Sequence, residues 1–181
     1  MGSMTKLTLT LFALAAGLVA QENPISASIK MQYSMGKSAI LRAADKVPES
    51  EYAFKPTDAV RSFGQLVGHV ADAQYMFCSS GGGMDRPKMD SVEKTKTTKA
   101  DLVQALKDAF AYCDKAYDAM TDATAGQMVK FFGRDNPKVG VLSFNNMHNY
   151  EHYGNMVTYM RLKNIVPPTS EGQQRPPEKK Q

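Results

Sequence analysis

Apolar residues recur at helical spacing in four long segments of this 181-residue chain, and this pattern constrains its fold more than any other feature. The clearest segment follows Thr98, and its apolar positions are Leu102, Leu106, Ala109, Phe110, Cys113 and Tyr117. Residues three and four apart lie on the same face of a helix, so these side chains form one stripe. Thr98 with Asp101 three residues later resembles a capping box. The spacing therefore predicts a helix from Thr98 to about Met120.

Three other segments show the same periodicity. The first covers about residues 28–46 and the last about residues 139–164. The one between them begins at a cap on Thr57 or Asp58 and stops at Ser79 to Gly83. Helix-breaking residues end each of them, namely Pro48, the glycines 81–83 and Pro167. The chain is therefore predicted to contain four helices of about 19 to 26 residues.

These four helices and their three connections predict an all-α fold, a four-helix bundle. Each helix would be roughly 30 Å long at about 1.5 Å per residue. The polar, turn-rich segment 80–97 can extend to about 60 Å, enough to run the length of the bundle. We therefore expect a long crossover between the second and third helices, which would be parallel. Residues 121–137 are predicted to form a loop with a buried flap, whose apolar residues are Met128, Val129, Phe131 and Phe132.

Composition excludes several classes of protein. The chain is 43% hydrophobic and 22% charged, as expected for a globular domain, and its length favours one domain. Its 22 basic and 18 acidic residues give a net charge of +4, and they are scattered rather than gathered in a basic stripe. Nucleic acid is therefore not an expected partner.

The N-terminus is typical of a secretory signal. Lys6 precedes an uncharged apolar run over residues 7–20 that ends in small residues, which predicts a signal peptide at residues 1–20 and a periplasmic or secreted protein. Met1-Gly2-Ser3 ahead of Met4 is typical of a remnant of recombinant expression. An uncleaved anchor is the alternative, and it would be the only membrane contact. The bundle is expected over residues 28–168 and a disordered tail over residues 169–181.

Two cysteines, Cys78 and Cys113, are too few for a disulfide scaffold or a four-cysteine zinc site. In an oxidising compartment they could form one bridge if the second and third helices are parallel. An antiparallel pair would hold them about 20 Å apart. The alternative, which we prefer from the sequence, is two buried and unpaired thiols.

All three histidines of the chain fall near the middle of predicted helices. His148 and His152 are four residues apart, so their side chains lie on one face, about 5 to 6 Å apart at Cβ. His69 belongs to a stripe that borders the core face of the second helix. Chance places a histidine pair four apart only a few per cent of the time, on the order of three in a hundred. The alternative to a metal site is a hydrogen-bonded core histidine and a chance pair at the surface.

Three imidazoles would leave an open coordination position, as catalytic zinc sites do. Zinc or nickel is the expected ion, with iron or copper as alternatives. An ion with an open position lowers the pKa of a water or thiol that it binds. Asp72 and Glu151 are the carboxylates nearest in sequence that could orient an imidazole. Asn145 and Asn155 could hold a water or a substrate carboxylate.

At these residues the chain resembles the DinB/YfiT-like superfamily. The resemblance covers about residues 28–168 and is carried by the segment Gly64-Gln65-Leu66-Val67-Gly68-His69-Val70-Ala71-Asp72-Ala73, by His148 and His152 followed by Tyr153-Gly154-Asn155, by Tyr159-Met160-Arg161 and by Pro167-Pro168. It implies a four-helix bundle with a divalent metal ion held by His69, His148 and His152. Characterised members of this superfamily include thiol-dependent S-transferases and a mycothiol-dependent maleylpyruvate isomerase.

Three functions remain open from the sequence. The first is a metal-dependent hydrolase or transferase that acts on a small molecule. The second is a non-catalytic metal-binding or stress-associated protein. The third is a homodimer-forming bundle without metal. Its twelve methionines and Phe131-Phe132 could line a pocket or an interface, although methionine at helical spacing is more often core filling.

Overall fold

A computed structural model describes residues 23–172 of the chain. In chain order its elements are α1 (Pro24–Lys46), α2 (Phe63–Gly82), α3 (Val92–Thr95), α4 (Lys99–Ala119), α5 (Asp122–Ala125), β1 (Met128–Phe131), β2 (Arg134–Pro137) and α6 (Lys138–Leu162). Single turns of 3-10 helix lie at Glu49–Glu51 and Pro168–Ser170. The predicted signal peptide, residues 1–20, and residues 173–181 of the predicted tail lie outside the described residues.

The four long helices form the predicted bundle, in which α2 packs against α4 and α6, and α1 packs against the same two helices. Gly64 near the start of α2 faces Leu102 near the start of α4, and Gly82 at its end faces Ala116. These contacts make α2 and α4 parallel, as expected for a long crossover. The α2–α6 pair is antiparallel, because Gly81 faces Leu142.

The core is built from the predicted stripes. All six apolar positions of the α4 stripe are at most 2% exposed. The Tyr117 ring stacks on that of Tyr33 in α1, with ring centroids 3.9 Å apart, and the Tyr33 hydroxyl donates to the Phe110 carbonyl at 3.0 Å. The helix with the clearest sequence pattern therefore packs against both α1 and α2 in the core.

Two predicted helix starts are wrong. Helix α2 begins at Phe63 rather than after Thr57 or Asp58, because Ser62 and Gln65 form a capping box. The Ser62 hydroxyl accepts from the Gln65 amide at 3.2 Å, and the Gln65 side chain accepts from the Ser62 amide at 2.8 Å. Helix α1 begins four residues before the predicted Ser28. Its first turn is capped by the Asp122 carboxylate, which accepts from the amides of Ile25 and Ser26 at 3.1 and 2.8 Å.

The segment 121–137 is not the simple loop that the sequence predicts. It contains α5 and an antiparallel hairpin in which Met128 pairs with Pro137 and Phe131 with Arg134. The two turn residues, Phe132 and Gly133, have φ of 47° and 74°, as a two-residue hairpin turn requires. The predicted flap is half correct: Phe131 packs on Phe77 of α2 with ring centroids 5.4 Å apart, whereas Phe132 is 71% exposed.

Cys78 and Cys113 form a disulfide, so the preference for two unpaired thiols is wrong. Both residues are fully buried, and their Cα atoms lie 5.2 Å apart, within the range that a disulfide spans. The parallel arrangement of α2 and α4 brings them together, because both lie in the last third of their helices. Within residues 23–172, no helix is long and apolar enough to cross a membrane.

The crossover passes so close to α2 that one helix position admits only glycine. A Cβ atom added at Gly68 would lie 2.6 Å from the Glu93 Cα and 2.9 Å from its amide nitrogen. Gly68→Ala is therefore expected to lower the free energy of unfolding by about 1–3 kcal/mol, since backbone must move. Gly154→Ala in α6 is the matched control: nothing lies within 4 Å of its added Cβ, so it should stabilise the protein by about 0.5–1 kcal/mol. Urea unfolding measures both, and equal effects would contradict the close contact.

Candidate metal centre

The three histidines converge at mid-bundle. His69 comes from α2, and His148 and His152 come from successive turns of the antiparallel α6. The Nε2 atom of His148 lies 3.2 Å from Nε2 of His69 and 3.1 Å from Nε2 of His152. One nitrogen from each ring lies within 4.8 Å of the other two. The structure thus brings together all three histidines that the sequence singles out.

The donor set fits a divalent ion. Nitrogens that bind one zinc ion at about 2.0–2.1 Å in tetrahedral geometry lie roughly 3.3 Å apart, close to the two shorter separations here. An imidazole nitrogen carries either one hydrogen or one lone pair, so His148 Nε2 cannot hydrogen-bond fully to both neighbours. A cation among three lone pairs satisfies all three nitrogens at once. The group could therefore hold a metal ion.

Burial keeps these imidazoles neutral. It lowers the pKa of His148 to about 3, and the neighbouring His152 and His69 add to the shift. Burial, together with His69, also lowers the pKa of His152 to about 4. The pKa of His69 is lowered by burial and by the nearby Arg61 guanidinium. All three rings are therefore uncharged at neutral pH, which is the form that binds metal ions.

A glutamate from the crossover orients His69. Glu93, in the short helix α3, places its Oε2 atom 3.2 Å from His69 Nδ1, and its Oε1 atom accepts from Arg61 Nε at 2.9 Å. A carboxylate on Nδ1 fixes the tautomer that presents the Nε2 lone pair toward the other two rings. Glu93 is not among the residues that the sequence singles out. The signal available was Gly68, a helix-interior glycine beside His69 that permits the close approach of Glu93.

The two carboxylates considered from the sequence have other positions. Asp72 forms no hydrogen bond with His69. It caps α3 instead, where it accepts from the Ser91 hydroxyl at 2.6 Å and the Val92 amide at 2.8 Å. Asp72 therefore acts one step away, by holding the helix that carries Glu93. Glu151 is exposed and forms no hydrogen bond with an imidazole among the described residues, although it lines the adjoining cavity.

Of the two asparagines predicted near the site, one lies beside a histidine and the other does not. Asn155 Nδ2 lies 3.4 Å from His152 Nδ1, and the amide turned by 180° would place its oxygen there as an acceptor. Asn145 is fully buried in the core below the site, where its amide donates to Gln74 at 3.0 Å and to the Tyr117 hydroxyl at 3.1 Å. Asn145 is thus not available to a ligand. His148 Nδ1 is buried and has no partner within residues 23–172.

A cavity of about 600 Å³ opens beside His152. Its polar lining includes Arg61, Glu93, Glu151, Asn155 and Tyr159. A small molecule could enter this space and reach the ring of His152. The arrangement thus joins a candidate ion-binding group, shielded by the bundle, to a polar cavity open to solvent.

A bundle with a long crossover and three converging histidines defines a class of helical proteins with a candidate metal centre between α2 and α6. The chain belongs to the DinB superfamily, whose family model matches residues 32–156. This match confirms the resemblance drawn from the sequence motifs. No curated protein matches the sequence.

Solved structures share the fold. A DinB-like protein from Bacillus cereus has a TM-score of 0.67 and 16% identity, over 78% of this chain and 95% of that one. A DinB-like protein from Bacillus subtilis has a TM-score of 0.60 and 20% identity, over 77% and 93%. A mycothiol-dependent maleylpyruvate isomerase has a TM-score of 0.58 and 16% identity, over 72% of this chain and 60% of that one. At these identities the likeness establishes the fold alone.

Proposed function

We propose that this chain is an exported protein that binds one divalent metal ion through His69, His148 and His152 and catalyses a hydrolysis or transfer reaction on a small molecule. The observation that carries the proposal is the convergence of three neutral Nε2 atoms next to a cavity open to solvent. Imidazole ligands suit zinc and nickel, the ions we favour, and also iron or copper.

The residues around the three histidines would have different roles in the reaction. A bound ion with an open position would act as a Lewis acid and lower the pKa of a molecule that it binds. Glu93 holds the His69 ring in orientation, and Asn155 does the same for His152. Glu151 lines the cavity and forms no ion pair with the described residues, so its carboxylate is the group available to accept a proton there.

Two observations support parts of this proposal. The structural likeness to a mycothiol-dependent maleylpyruvate isomerase supports a catalytic role, because that protein is an enzyme built on a similar bundle. The Cys78–Cys113 disulfide supports export, because structural disulfides persist in oxidising compartments and are rare in the cytosol. It agrees with the signal peptide predicted at residues 1–20.

Metal analysis tests the proposal. Protein stripped with a chelator and reconstituted with zinc or nickel is expected to retain about one ion per chain, and elemental analysis after desalting measures it. Protein that retains no ion would contradict the proposal. The alternative function, a non-catalytic metal-binding or stress-associated protein, shares this expectation and differs in showing no turnover when the loaded protein is screened against esters, amides and thiol-acceptor pairs.

A further inference from the structure

Arg61 lines the cavity beside His152 and is held in place by two contacts. Its carbonyl accepts from the Tyr159 hydroxyl at 2.9 Å, which fixes the backbone. Its Nε donates to Glu93 at 2.9 Å, and the same carboxylate contacts His69. One bridging carboxylate therefore separates the guanidinium from the histidine group. The terminal Nη atoms of Arg61 form no hydrogen bond with residues 23–172, and the residue is part of the cavity lining.

Glu93 pairs with the Arg61 guanidinium through Nε, and no carboxylate of the cavity forms a hydrogen bond with the Nη atoms. Glu93 already contacts both His69 and Arg61 Nε, and Asp58 pairs with Lys55 at 2.9 Å. Glu151 is exposed to solvent. A guanidinium with a free pair of donors presents the planar fork that matches carboxylate and phosphate oxygens.

A second cavity beside the first is lined by further lysine residues. It measures about 830 Å³ and shares Lys55, Gln65 and Glu93 with the first, so the two adjoin. Lys94 and Lys96 line it, and neither forms an ion pair within the described part of the chain. Three lysines and two glutamates thus line this second cavity, namely Lys55, Lys94 and Lys96 with Glu49 and Glu93.

We propose that Arg61 is the specificity-determining residue of the site and receives a carboxylate or phosphate group of the ligand, while another atom of the same ligand faces the histidine group. The substrate class is thus a small organic oxyanion. This inference rests on the proposed function for its orientation toward the histidines, but the contact with Arg61 belongs to the chain itself.

Three small thiols test the inference. Each has a thiol group that can bind the metal ion, and they differ in the charge of the group at the other end of the molecule. They are 3-mercaptopropionate, 2-mercaptoethylphosphonate and the neutral 3-mercapto-1-propanol. In cobalt-loaded protein, thiolate binding gives a charge-transfer band that reports affinity. At least one anionic thiol is expected to bind about tenfold or more tightly than the alcohol. R61Q should abolish that preference, and R61K, which keeps the charge but loses the fork, should retain part of it.

The controls separate this inference from the proposed function. R42Q removes an arginine on α1 that pairs with Glu171 and does not line the cavity, so it should retain the wild-type preference. The same three ligands are titrated calorimetrically into metal-free protein, where anion binding that depends on Arg61 should persist at lower affinity. Absence of bound metal would overturn the proposed function. Equal affinities for anionic and neutral thiols, or equal preferences in wild type and R61Q, would overturn the role of Arg61.

Discussion

Replacing His148 with alanine is expected to weaken divalent-metal binding by more than about 100-fold. His148 is the central member of the group, because its Nε2 atom lies 3.2 Å from that of His69 and 3.1 Å from that of His152. The substitution leaves two imidazoles, His69 and His152, in place of three. Loss of an outer partner of a ligand already costs about 10–100-fold in affinity, and loss of the ligand itself should cost more. Competition with a chromophoric chelator measures the affinity.

The metal affinities of two further variants show whether the effect is specific to the histidine ligand. Glu93→Gln keeps all three ligands but weakens the contact that orients His69, so a smaller loss of about 10–100-fold is expected. Thr158→Ala changes an exposed residue nearly three turns beyond His148 and should leave the affinity unchanged. Circular dichroism checks that His148→Ala remains folded. A His148→Ala protein that binds zinc as tightly as the wild type would refute the site.

The histidine group was predictable because each step from sequence to site is local. The four-residue spacing puts His148 and His152 on one face of a helix, and the position of His69 at mid-helix places it opposite them in an antiparallel pair. Glu93 was not predictable in the same way. It lies on a four-residue helix, and its position depends on the path of the crossover over Gly68 and on the cap supplied by Asp72. Both contacts are tertiary.

The same distinction between local and tertiary contacts explains which parts of the fold the sequence predicts. The α4 stripe is a local signal, and every member of it is buried. The start of α1 depends on Asp122, about 100 residues away in sequence, so no local pattern marks it. The hairpin is hidden because Phe132 adopts a positive φ that bulky residues rarely take. Local periodicity thus predicts the long helices, whereas caps, turns and the crossover require contacts between distant segments.

Reduction of the Cys78–Cys113 disulfide is expected to lower the free energy of unfolding by about 4 kcal/mol. The bridge joins residues 35 apart in sequence, and the chain-entropy relation assigns about this value to a loop of that length. The stabilisation arises mainly in the unfolded chain, which the bridge keeps from exploring extended conformations. For a domain of this size, the melting temperature should fall by roughly 8–16 °C.

Urea and thermal unfolding of metal-free protein, with and without a phosphine reductant, measure the effect without competition between thiols and the site. The double variant C78A/C113A is the control: it should be less stable than the oxidised wild type and should not respond to reductant, because it has no bond to lose. Its remaining deficit relative to the reduced wild type isolates the packing lost with the two buried sulfur atoms. If mass spectrometry shows two free thiols after reduction while the unfolding midpoint is unchanged, the bridge does not stabilise the bundle, and the parallel contact between α2 and α4 holds without it.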